Sequence, residues 1–183
     1  MSNIYEKCPI LETENFIFRL VEIGDAEDLL ACYSDPKAQE LFNIDNFPSD
    51  CCLYTVEEMM KQIEFWLMEY ASQAYIRFAV IDKLTNKAIG TIEMFGMVGA
   101  YKTEIGLLRI DLASPYENVV ILREIIIMCI KNFYDIFEVA TIATKAMPKA
   151  IERIKVLIEV GFCEEDFKGR RNYFLRKKKG VLV

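Results

Sequence analysis

Apolar positions recur along the chain with two periods, and the switches between them divide it into strands and helices. Alternation over 16–21 predicts a first strand, which Gly24 ends. Asp25 can then cap a short helix whose Ala26, Leu29, Leu30 and Tyr33 share one face. Pro36 stops that helix, because proline disfavours helical geometry in the residue before it. A second short helix is expected over 37–42 and a loop over 43–54. Thr55-Val-Glu-Glu58 is a capping box, and Val56, Met59, Met60, Ile63, Leu67 and Tyr70 follow it at helical spacing.

The second half alternates the two periods more quickly. Strands over 75–81 and 88–97 form a hairpin turning through 83–86, and 102–111 is a further strand. Ser114-Pro-Tyr-Glu117 has the form of a second capping box with proline at the first helical position. The segment from there to about Phe133 is apolar nearly all round; its length without Gly or Pro predicts a buried helix. A strand over 138–145 and a helix over 149–160 follow. Ile151, Ile154, Leu157 and Ile158 read as the apolar face of that helix, and Gly161 caps its end. Strands over 162–167 and 172–176 close the chain. The order β-α-α-α-β-β-β-α-β-α-β-β calls for helices on both faces of one sheet, an α/β layered domain occupying 1–183.

Composition narrows the chemistry. A chain of 183 residues that is 53% hydrophobic can bury one sizeable core. Its densest apolar run, 125–130, is far too short to span a bilayer, and the first residues lack a basic-then-apolar leader. A cytoplasmic protein is expected. The six cysteines, at 8, 32, 51, 52, 129 and 163, form no CxxC pair and read as free thiols of a reducing compartment. There is no histidine, which excludes Ser-His-Asp and Cys-His arrangements and removes the commonest zinc ligand. No metal site is expected, and acid–base work falls to Glu, Asp, Tyr, Lys or Cys. The net charge of −6 argues against a nucleic-acid partner. Seven basic residues between Lys168 and Lys179 read as a closing strand with a solvated tail.

Four passages carry a resemblance. They are Glu12-Thr-Glu-Asn-Phe-Ile-Phe-Arg-Leu20 with Gly24-Asp-Ala-Glu-Asp-Leu29 and Tyr33-Ser-Asp-Pro36; Phe78-Ala-Val-Ile-Asp82 with Lys87-Ala-Ile-Gly-Thr-Ile92; Thr103-Glu-Ile-Gly106; and Val156-Leu157 with Gly161-Phe162. In this order they resemble the GNAT superfamily of N-acetyltransferases, most closely its ribosomal-protein N-terminal acetyltransferase subgroup. The resemblance implies a mixed central sheet splayed between its fourth and fifth strands, with acetyl-CoA in the gap. The pantetheine arm would pair with the backbone at Ile110, Asp111 and Leu112, and Ser114, Tyr116 and Asn118 would meet the cofactor from the following loop. Glu104 would be the general base. Glu93 and Trp66, the latter beside Met59 and Met60, would line a pocket for a small-molecule or peptide amine. Oligomeric state stays open, a homodimer included.

Two departures stand against this pattern. The family's Gly-rich turn before the next helix lets backbone N–H groups wrap a pyrophosphate. Here the turn is Leu112-Ala-Ser-Pro-Tyr-Glu-Asn-Val119, without a glycine and with the Glu117 carboxylate where phosphates would sit. In the last long helix, Ala150, Arg153 and Leu157 stand where the family often carries Asn, Ser and a proton-donating Tyr. Two functions follow: acetyl transfer from acetyl-CoA to a primary amine, or a catalytically lost module of the same fold binding another ligand or a protein. Arg109, near the mouth of the gap, reads as one half of a cross-strand ion pair.

Overall fold

In the computed structural model, which describes residues 3–42 and 53–178, the alternating segments pair into one eight-stranded sheet. In chain order the strands are β1 (Leu11–Glu12), β2 (Phe16–Leu20), β3 (Ile76–Asp82), β4 (Lys87–Phe95), β5 (Ile105–Leu112), β6 (Thr141–Lys145), β7 (Cys163–Phe167) and β8 (Arg170–Lys177). Their spatial order is β1-β2-β3-β4-β5-β6-β8-β7. The extra β1 shifts the numbering by one, so the fourth and fifth strands of the resemblance are β5 and β6. The expected loop over 43–54 and the adjacent Cys51 and Cys52 fall mostly outside the described residues.

The helices are α1 (Ala26–Tyr33), α2 (Pro36–Gln39), α3 (Val56–Ala71), α4 (Val119–Ile136) and α5 (Ile151–Glu159). Because successive strand side chains point to opposite faces, β3 feeds two cores. Phe78 and Val80 join Ile92, Ile110 and α4's Leu122, Ile125 and Phe133. Ala79 and Ile81 join Leu29 of α1 and Met59, Ile63 and Trp66 of α3. Each such fully buried large side chain contributes roughly 1.5–3 kcal/mol. Within α4, the buried Leu122, Ile125, Ile126, Cys129 and Phe133 recur at helical spacing, so length correctly decides for helix over strand.

Three local expectations are corrected. Asp25 stands at the N-cap of α1 but makes no cap bond there; its carboxylate takes Arg19 and the Glu22 N–H instead. Ser114 and Glu117 form no capping box. Residues Ser114–Tyr116 make a separate 3₁₀ turn, and Asn118 caps α4 by accepting from the Ile121 N–H. The apolar face of α5 is rotated: Ile151 and Ile158 are exposed, whereas Arg153, Val156 and Leu157 are buried. The capping box Thr55–Glu58 forms with both bonds made.

Two backbone features shape the sheet's centre. A Cβ on Gly90 would lie 2.1 Å from the Asp111 carbonyl oxygen, so glycine lets β4 approach β5 there. Every neighbouring pair among the described strands is antiparallel except β5 and β6. Those two run parallel from Ile105↔Thr141 to Leu108↔Thr144; β5 then continues to Leu112 with β4 alone beside it.

Candidate functional site

The site begins where β5 leaves β6. Just past the end of β5, the Ala113 N–H donates to the Ile89 carbonyl on the β4 side. Backbone groups alternate sides along a strand, so Ile110 and Leu112 turn theirs toward the gap. One of these is already bonded. Arg153 of α5 donates through Nη1 to the Ile110 carbonyl at 2.8 Å, and its Nη2 and Nε meet the Glu117 carboxylate. Only 2% of the Arg153 side chain is exposed and 6% of that of Glu117, so this ion pair is walled into the gap.

The loop beyond β5 spends its amides internally. The Ser114 N–H donates to Asp35 Oδ2 at 3.2 Å, Tyr116 N–H to the Ala113 carbonyl and Glu117 N–H to the Ser114 carbonyl. Pro115 has no N–H to give. The Tyr116 hydroxyl donates to Asp82 Oδ2 at 3.1 Å, away from the gap. Within 114–117 the three backbone N–H groups present are thus all bonded.

On the sheet face that packs against α1 and α3, the register brings a polar row together. Arg77 lies opposite Glu93, and Glu93 opposite Arg109; in the next row Thr91 faces Asp111. Arg77 pairs with Glu93 through Nη2 and reaches Asp111 Oδ2 and Thr91 Oγ1, both at 3.2 Å, through Nη1. Tyr33 donates to Asp111 Oδ2 at 3.0 Å, and its oxygen lies 2.7 Å from Thr91 Oγ1. Arg109 Nε is an ion-pair partner 2.8 Å from the same carboxylate oxygen, with its N–H off the line of contact. The Arg77 guanidinium lies 4.4 Å from the centre of the Trp66 ring, a cation–π stack.

Charge within this row is settled by proximity. Burial alone would push the Asp111 carboxyl up, but Arg109 and Arg77 outweigh it and hold the group below its usual range. Burial, then the Asp111 charge, pushes the Tyr33 hydroxyl well up, so it stays a donor. Asp111 is thus a fixed anion and a poor proton acceptor. Several atoms still lack partners among the described residues: Trp66 Nε1, Gln62 Nε2, Arg77 Nε, Arg109 Nη2 and Asp111 Oδ1. Each unmet buried polar group costs about 1–3 kcal/mol.

Ile110 and Leu112 present their backbone to the gap, whereas Asp111 turns its backbone to Thr91 of β4 and its carboxylate to Arg77, which also holds Glu93 and stacks on Trp66. Ser114 and Tyr116 bond elsewhere, and Asn118 is a helix cap. Glu104 is not brought to the site: it is exposed just before β5, roughly 20 Å along the strand from Ile110. Tyr33, Arg77 and Arg153 were not singled out for this site by their sequence positions. For Arg153 a signal existed, since it sits three and four residues before Val156 and Leu157 and so shares their buried stripe. Arg77 likewise interrupts the apolar run that β3 keeps up to Ile81.

A family model described as an acetyltransferase (GNAT) domain matches residues 15–163. An uncharacterized N-acetyltransferase, YoaA of Bacillus subtilis (strain 168), is 28% identical over 99 residues, which are 54% of this chain and 52% of that protein. The match thus spans about half of that relative. Among solved structures, the ribosomal-protein-S5-alanine acetyltransferase of Vibrio fischeri superposes with a TM-score of 0.70 at 17% identity, covering 93% of this chain and 97% of that one. RimL, a ribosomal L7/L12 alpha-N-protein acetyltransferase in complex with coenzyme A, gives 0.70 at 10% identity over 92% and 98%. At these identities the likeness is one of fold. No helix among the described residues is long and apolar enough to cross a membrane.

Proposed function

Because the chain belongs to the GNAT family of acetyltransferase domains, we propose that it is an N-acetyltransferase, moving an acetyl group from acetyl-CoA to a primary amine of a small molecule or a peptide N-terminus. One observation carries this reading: β5 parts from β6 after Leu108 and leaves the Ile110 and Leu112 backbone edge facing a gap. An extended amide-bearing arm fits such an edge as an added strand would. Residues 114–117 offer phosphates no free amide, since those of Ser114, Tyr116 and Glu117 are bonded, and the Glu117 carboxylate stands beside them. The cofactor supplies the activated acyl group when bound. The chain's own part lies on the neighbouring face. Glu93, with 16% of its side chain exposed, is the carboxylate there that solvent and an incoming amine can reach, which suits it better than Glu104 to accept a proton. The free thiols of Cys8, Cys32, Cys129 and Cys163 agree with work in the cytoplasm.

A second reading has its own support. Arg153 occupies the Ile110 carbonyl, and Glu117 neutralises Arg153, so the gap is filled by the chain itself. A domain that had given up catalysis would look like this. Calorimetric titration of the protein with acetyl-CoA and with desulfo-CoA separates the two. Micromolar binding, followed by amine-dependent release of free thiol, is expected for the enzyme. No heat up to millimolar acetyl-CoA would overturn it and leave the catalytically lost module.

A further inference from the structure

A cavity of about 440 Å³ lies at the other end of β5 from the gap. Three separate stretches enclose it: the first described residues, the loop joining β4 to β5, and the end of α4. Its volume falls in the range of small-molecule sites, roughly 300–1,000 Å³. Buried Ile4 and half-buried Met97, Val98 and Ile136 give it apolar walls, whereas Lys7, Lys102 and Glu138 line it and are exposed, so a solute can reach it. These three charges are not used by the fold. Among the described residues their side chains have no ion-pair or hydrogen-bond partner, while Asp135, which also lines the cavity, is held by Lys178. Two of the three stand where the backbone favours glycine: φ is 48° at Lys102 and 53° at Glu138. Glu138 follows just after α4, where glycine very commonly ends a helix. Charged side chains kept at strained positions around one cavity point to a use beyond folding.

We propose that this cavity is a second ligand site that binds a small apolar monocarboxylate, its charge taken by Lys7 and Lys102 and its body by the apolar walls. Two unpaired cations against one unpaired carboxylate leave a single positive charge to be met. The partial negative charge at the end of α4 allows no more than that. A dianion overfills the site, and an ammonium faces two lysines. An uncharged apolar molecule gains the walls but forgoes the charge-assisted contacts, which strengthen where apolar surface excludes water. Acyl transfer at the gap stands or falls separately, because none of these residues belongs to it.

NMR of the full chain with labelled methionine methyl groups reads the site directly, the Met97 signal being assigned through Met97→Leu. The probes are hexanoate, octanoate and phenylpropanoate at up to roughly 20 mM, each beside its carboxamide, with adipate as the dianion. At least one acid is expected to shift the Met97 signal and to bind about tenfold or more tightly than its carboxamide. The double variant Lys7→Gln, Lys102→Gly should bring acid and carboxamide level without lowering the urea midpoint, since glycine accepts the left-handed backbone at 102. Glu138→Gln should strengthen adipate about tenfold and so narrow its gap to hexanoate. A Met97 signal that no acid moves, or acids and carboxamides bound alike by the unaltered protein, overturns the proposal. So does a double variant, as stable as its parent, that still prefers the acid.

Discussion

Replacing Arg153 by Met tests whether the gap is held shut from within. The substitution keeps most of the buried stem and removes the guanidinium. It leaves the Glu117 carboxylate buried without its partner, a loss of about 3–5 kcal/mol, and frees the Ile110 carbonyl, which adds about 1–3 kcal/mol where water does not reach it. Partial hydration of the gap offsets some of this, so about 4 kcal/mol is expected. For a domain of this size that lowers Tm by about 8–16 °C. Urea unfolding followed by the fluorescence of Trp66, the sole tryptophan, reads it directly. The double variant Arg153→Met, Glu117→Leu replaces the pair by apolar groups and should recover about 3 kcal/mol of this loss, the unmet Ile110 carbonyl accounting for the rest. That variant should also bind acetyl-CoA more tightly if the pair is what closes the edge. A single-variant cost below about 1 kcal/mol, or a double variant as unstable as the single, would refute a buried, mutually satisfied pair.

Tyr33→Phe removes the hydroxyl between Thr91 and Asp111 and should cost about 1–3 kcal/mol in the same urea assay, since both partners are buried. Gly90→Ala sets a methyl group against the Asp111 carbonyl and should cost about 2–4 kcal/mol, seen as a lower midpoint at unchanged slope. Asp111 carries an acid dependence. Its folded carboxyl titrates below the unfolded one, so its contribution is complete above the ordinary aspartate value of about 3.9 and is lost as pH falls through the folded value. Stability measured from neutral to strongly acid pH should therefore fall less steeply below about pH 4 in Asp111→Asn than in the parent protein.

The sheet and helices were legible because their signals are local. The capping box at Thr55, the length of α4 and the turn after Ile81 each determine an element from a few neighbouring residues. Boundaries slipped where a tertiary partner outbid a local one. Ser114 and Glu117 have the spacing of a capping box, yet Asp35 takes the Ser114 N–H and Arg153 takes Glu117. The face of α5 was misread because isoleucines outrank an arginine on any hydrophobic scale. The helix buries Arg153 nonetheless, since only its guanidinium can meet both Ile110 and Glu117. The site was half legible. Glu93 and Trp66 gather around Arg77 together with Asp111, to which the resemblance gave a backbone role at the cofactor instead; Glu104 lies apart, and the fully buried Arg77 that binds the row together depends on cross-strand register that no single segment reveals.

The lone parallel pairing has a consequence for how the molecule assembles. Strands β1 to β5 and strands β6 to β8 are two antiparallel leaves, the first built from neighbours in the chain and the second with β8 inserted between β6 and β7. They meet along a seam only from Ile105 to Leu108 on one side and Thr141 to Thr144 on the other. Closing that seam requires the whole of α4 to cross over first, so its loop-closure cost falls late and its rungs should be among the last formed. The amides of β5 and β6 along it should then exchange with deuterium sooner than those of β3 and β4, and the ligand gap would open from a short, late-formed seam at the sheet's centre.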